Sequence, residues 1–148
     1  MGTTLDAPRS NSASLPGQRS PGEIEKVRVQ VWRLLEMLYP HGSRIERRSD
    51  NRFPYPYLVY LTPVGADGAT PQGESIVVVG KHLSDRGFDF YHPQPLPYRR
   101  VIASLEAVGG ARLAFLMDLN WCRFTRQSWY ESGGRFLQVV PLPIQWND

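Results

Sequence analysis

Arg48 and Arg52, four apart in Glu46-Arg-Arg-Ser-Asp-Asn-Arg-Phe53, and Ser84 and Gly87, three apart in His82-Leu-Ser-Asp-Arg-Gly87, are the residues whose types and spacing could do chemistry. An arginine presents a planar fork of N–H donors that grips phosphate in two bonds at once and stacks on a base, neither of which a lysine does. Ser49-Asp50-Asn51 favour a loop between the two arginines. Such a loop leaves both guanidinium groups free to wrap an anion, and Arg44 and Arg47 add positive potential that draws one in. A glycine at position 87 permits a backbone shape or close approach closed to residues with a side chain. The spacing of the arginines is weak evidence alone, because Arg44 and Arg48 repeat it. The pair lies just upstream of the first β-rich run, and the Ser-Gly turn follows one strand pair later.

The elements that must hold these residues are legible in outline. With 148 residues, 41% of them hydrophobic, the chain can bury one core, and thirteen glycines with thirteen prolines favour short strands and many turns. Residues 1–19, rich in Ser, Pro, Gly, Thr and Asn, cannot offset the entropy of ordering and are expected to be a disordered tail. Ser20-Pro21-Gly22-Glu23 then reads as a helix start, and the helix should run through residues 20–39 until Pro40 and Gly42 stop it. Ile24, Val27, Val31, Leu34, Leu35 and Leu38 share one face of it. That face either packs on the rest of the chain or meets a partner protein or a second copy.

From Tyr55 the pattern becomes β. Runs at Tyr57–Leu61, Glu74–Val79 and onward through Gly80, Gly87–Tyr91, Arg100–Leu105, Ala111–Thr125 and Gly134–Val140 read as strands, the fifth long enough to bend or hold a bulge. Gly87-Phe88-Asp89-Phe90-Tyr91 alternates as a half-buried strand does. Six or seven short strands predict a mostly β fold, a small antiparallel barrel that hides its edges by closing, with the amphipathic helix at its N-terminal side. Pro93-Gln-Pro-Leu-Pro97 reads as a rigid extended connection, and residues 141–148, with two prolines, as a C-terminal tail without a helix.

The two motifs together, in this order and about thirty residues apart, resemble the ligand signature of the PilZ domain over residues 43–140. The resemblance implies a split β-barrel that binds cyclic di-GMP without catalysis, through the Arg-x-x-x-Arg loop (Arg48 and Arg52, with Arg47 beside them) and the Ser-x-x-Gly turn (Ser84 and Gly87). It also implies a guanine-edge contact at position 82, where the family carries Asp or Asn and this chain carries His82. A neutral histidine has one acceptor nitrogen and a protonated one has none, so the departure should cost about 1 to 3 kcal/mol of binding. A degenerate barrel that has lost its nucleotide and serves as a protein-interaction module is the other reading of the same motifs.

Other chemistries find less support. His41, His82 and His92 stand at no metal-ligand spacing, no serine lies in a nucleophile-elbow sequence, and neither an enzyme nor a cofactor is expected. Cys122, the single cysteine, excludes an intramolecular disulfide and reads as an inert thiol in an apolar strand. No apolar stretch approaches the length of a membrane span and no signal pattern opens the chain, so a cytoplasmic protein is expected. Tyr55, Tyr57, Trp121 and Trp129 could form a stacking platform for single-stranded nucleic acid, but a net charge of +3 argues against it, and aromatics in barrel strands are usually core.

Overall fold

The computed structural model describes residues 20–39, 52–106 and 110–143. Its first element is helix α1, Pro21–Leu38. Ser20 caps it, its hydroxyl accepting from the Glu23 N–H at 3.2 Å, and Pro21 takes the first turn, where no N–H is needed. Seven strands follow: β1 Phe53–Pro54, β2 Leu58–Pro63, β3 Ile76–Leu83, β4 Gly87–His92, β5 Arg100–Glu106, β6 Arg112–Phe124 and β7 Tyr130–Val140.

Every pairing is antiparallel, and the order β3-β2-β5-β6-β7-β4 closes on itself through β3–β4. The fold is therefore a closed six-stranded barrel with one N-terminal helix and one extra strand, β1. That short strand pairs with the end of β3, Phe53 opposite Leu83 and Pro54 opposite His82. Pro54 and Pro56 remove ladder donors between β1 and β2, and the intervening Tyr55 still donates its N–H to the Lys81 carbonyl at 2.9 Å. β1 and β2 thus form one interrupted edge along β3. The Tyr55 side chain crosses the barrel interior to bond the Glu106 carbonyl at 2.8 Å, and burial pushes its phenol up to about 12.

The inward residues follow the two-residue period of the strands, Val59 and Leu61, Phe88 and Phe90, Val101, Ala103 and Leu105, Phe115 and Met117, and Phe136, while in β3 the bulge at Gly80/His82 shifts the phase between Val78 and Leu83. Val27, Val31, Trp32, Leu34 and Leu35 of α1 join this same core, with Val31 and Leu35 wholly excluded from solvent. The helix face from Ile24 to Leu38 is thus occupied by the chain's own barrel. It offers no open apolar stripe to a partner or a second copy, because the barrel core without it would face water. A second small cluster, Ile102, Ala114, Leu116 and Leu137, lies under Val64, Val140 and Leu142.

Some strand expectations need correction. β4 is buried on both faces rather than half-buried: Phe88 and Phe90 enter the core, while Asp89, 3% exposed, is covered on the other side by its own ion pair. β7 begins at Tyr130, four residues before the apolar run, because Tyr130–Gly133 pairs with both β4 and β6. The β region begins at Phe53, ahead of Tyr55. Cys122 is exposed on β6 and not a core thiol. The chain between β4 and β5 has no regular structure, and its Leu96 and Tyr98 lean on the core. No described helix is long and apolar enough to cross a membrane.

Candidate functional site

Around a cleft of about 350 Å³, Arg52, just before β1, meets the β3–β4 hairpin with its His82, Ser84 and Gly87. Asn120 and Trp121 of β6 and Gly134 and Arg135 of β7 form the facing wall. Arg47 and Arg48 lie outside the described residues.

The turn between β3 and β4 is braced by its own side chain. Ser84 donates its N–H to the Gly87 carbonyl at 2.9 Å, and its hydroxyl accepts from the N–H groups of Arg86 at 3.1 Å and Gly87 at 3.3 Å. The hydroxyl proton makes only a 3.5 Å contact with the Gly87 carbonyl, so its donor is available to a group in the cleft. Gly87 answers a packing demand: a Cβ there would run into the carbonyl oxygen of Gly134 and stand 3.0 Å from Arg135 Cα. The close approach that glycine permits is between β4 and β7, and it sets how near the two walls of the cleft come.

The tip of the turn is anchored away from the cleft. Asp85, with a fully buried side chain, accepts from Trp32 Nε1 at 3.1 Å and pairs with Arg28 Nε at 3.2 Å, both on α1. Its Oδ1 has no hydrogen-bond partner among the described residues. The Arg86 carbonyl accepts from Phe136 N–H at 2.9 Å, tying the same tip to β7.

Arg52 is not a free fork. Its guanidinium is bonded to Asp89 Oδ2, while the other oxygen of Asp89 accepts the His82 backbone N–H at 2.8 Å. His82 and Asp89 are register partners beside a β-bulge at Gly80/His82, which turns the His82 ring to within 3.5 Å of Asp89 Oδ1. The Arg52 side chain remains 56% exposed against 4% for Asp89, so one partner is fixed and the other can swing. In the sequence Asp89 reads only as one residue of an alternating strand. The signal was its place opposite His82 in a hairpin, visible only once the register is known.

The base of Arg52 is held by α1. Phe53 packs edge-on against Trp32 at 5.7 Å and lies 6.1 Å from the Tyr39 ring, and the Tyr39 hydroxyl donates to the Pro54 carbonyl at 2.7 Å. The chain therefore leaves the helix and re-enters the barrel at neighbouring points. Of the aromatics considered for stacking, Tyr55 is core, but Tyr57, Trp121 and Trp129 are each at least 40% exposed.

Fold and cleft together define a closed β-barrel with an arginine- and carboxylate-lined pocket beside a helix-anchored turn. No protein-family model matches the chain, and no curated protein sequence does. Among solved structures, the chain is similar to Bacillus subtilis inhibitor of motility (MotI/DgrA), at 16% identity and a TM-score of 0.48, over 65% of this chain and 45% of that one. The chain thus spans less than half the length of that protein.

Proposed function

We propose that this chain is a PilZ-type, non-enzymatic cytoplasmic receptor that binds cyclic di-GMP in the Arg52–Ser84 cleft and acts through a ligand-dependent change in protein interaction. The observation that carries the reading is the convergence of Arg52, His82, Ser84 and Gly87, from different elements, on one cleft. Arg48 lies four residues before Arg52, so chain length alone keeps its Cα within about 14 Å of it. Two forked cations at that separation suit a ring that carries two phosphates.

Guanine also needs acceptors for its N1 and N2 donors, which a histidine supplies poorly. Asp89, on the strand position opposite His82, supplies a carboxylate there. The ligand takes over Arg52 with a phosphate, and the freed carboxylate oxygen turns to the base edge. Gripping Arg48 and Arg52 changes how this face of the barrel meets a partner, while the helix, seated in the core, stays in place.

The second reading, a degenerate barrel that serves only as an interaction module, is favoured by a different surface. Leu58 and Tyr60 of β2 stand opposite Val79 and Val77 of β3, and all four side chains are exposed. Calorimetric titration with cyclic di-GMP of the wild type and of the Arg48→Ala/Arg52→Ala double variant separates the two. The receptor predicts saturable heat lost in the double variant; an equal response of both proteins would reject it.

A further inference from the structure

We infer that Trp121 is the platform on which a purine of the bound nucleotide stacks, and that the β6 bulge and the Gly133-Gly134 pair exist to place it. The inference rests on the receptor reading and names a specificity residue within it.

The register between β6 and β7 shifts between Leu119 and Trp121: Leu119 faces Gly134 and Trp121 faces Gly133, which leaves Asn120 as an extra residue. A bulge of this kind re-aims the side chains beside it, and here Asn120 and Trp121 both line the cleft. The strand opposite is stripped of side chains where it must be. A Cβ at Gly133 would stand 2.6 Å from Cε2, Cζ2 and Nε1 of Trp121, and one at Gly134 would run into the Asp118 carbonyl oxygen.

The indole therefore lies directly on backbone, which fixes its orientation, while 41% of the residue remains exposed. The Arg123 guanidinium flanks the ring at 6.0 Å from its centroid. Burial would have been the cheaper fate for so large an apolar group. A rigid, half-open indole in a cleft with Arg52 and the Ser84 hydroxyl is suited to a flat heteroaromatic ring joined to an anion, because stacking on the indole and charge pairing with the fork act on adjoining parts of one molecule. A ligand with phosphate but no base would use only half of this wall.

The test is calorimetric titration with cyclic di-GMP of wild type, Trp121→Leu, Trp121→Phe and Arg52→Ala, with tryptophan fluorescence followed in parallel. The expected result is a loss of at least tenfold in affinity for Trp121→Leu, retention within about threefold for Trp121→Phe, and fluorescence quenching on binding that the wild type shows and Trp121→Phe lacks. If Arg52→Ala weakens binding but Trp121→Leu binds as wild type does, the platform is overturned and the receptor stands. If the wild type does not bind, both fall. Should Trp121→Leu fail to fold, undiminished quenching in Trp121→Phe overturns the platform alone.

Discussion

Asp85, at the tip of the β3–β4 turn, and Asp89, in β4, stand four residues apart, each paired with an arginine and each nearly shut off from water, yet they face different neighbours. Asp85 points back to α1, where a buried indole N–H and a half-exposed Arg28 hold it. Asp89 points into the cleft, where the Arg52 fork can leave it for solvent or for an anion. The difference teaches that a buried carboxylate is a lock or a switch according to what its partner can do next. A pair whose cation has another place to go is exchangeable; one closed off by a tryptophan and a helix is not.

The largest expected effect should break the lock. Asp85→Ala strands the Trp32 N–H in the core and frees the turn from the helix, and should cost about 2 to 3 kcal/mol, read as a drop of roughly 10 °C in melting temperature. Affinity for cyclic di-GMP should fall by no more than about twofold in the folded protein, and a wild-type melting curve would remove Asp85 from its anchoring role. Next, Arg52→Ala should weaken cyclic di-GMP at least tenfold through loss of a charge-assisted contact worth about 1.5 to 3 kcal/mol. Its effect on stability should stay below about 1 kcal/mol, because the arginine is mostly exposed. Denaturant titration and calorimetry on the same preparation check the two halves together.

Asp89→Asn sharpens the comparison. The amide oxygen keeps the His82 N–H bond, so stability should hold within about 1 kcal/mol, while Arg52 loses its ionic partner. Cyclic di-GMP should weaken about tenfold and inorganic pyrophosphate, which has no base edge, should not. Parallel weakening of both anions would contradict the role of Asp89 as a base acceptor.

The smallest effect concerns pH. His92, at the far end of β4, donates from Nδ1 to the Gln94 carbonyl at 2.6 Å, and its Nε2 lies 2.8 Å from the Ser132 hydroxyl, which donates to it when the ring is neutral. Burial lowers its pKa below 6.5, against the opposing carbonyl bond. The unfolded chain then binds the proton more readily, so stability is complete above pH 6.5 and declines as pH falls below it toward the folded value. For Glu131, burial pushes the carboxyl up, but hydrogen bonds from Lys81 and Arg123 outweigh it and leave it below 4.5, so a second decline begins under pH 4.5. Thermal melts across pH 4 to 8 should show both, and His92→Phe should erase the first.

Much of the frame was legible because it rests on local rules. The Ser20 cap, the helical spacing of the apolar residues and the strand alternation each depend on near neighbours, and closure followed from the number of short strands. Arg52, Ser84 and Gly87 were singled out by spacing and His82 by the family resemblance, and in the fold the four line one cleft. Asp89 escaped because its place is non-local. An aspartate between two phenylalanines reads as solvent-facing until His82 is known to lie opposite. Trp121 was named as a stacking candidate, but that Gly133 backs its ring is visible only once the β6–β7 register is known. The N-terminal part of β7, Tyr-Glu-Ser-Gly, looked like loop for the same reason, since its glycines serve the strands on either side.

The hydrogen bond from Tyr39 to Pro54 moors both shores of residues 40–51 to each other. The end of α1 and the start of β1 are thereby fixed to each other directly, so a displacement of one is passed to the other without relying on the chain between them.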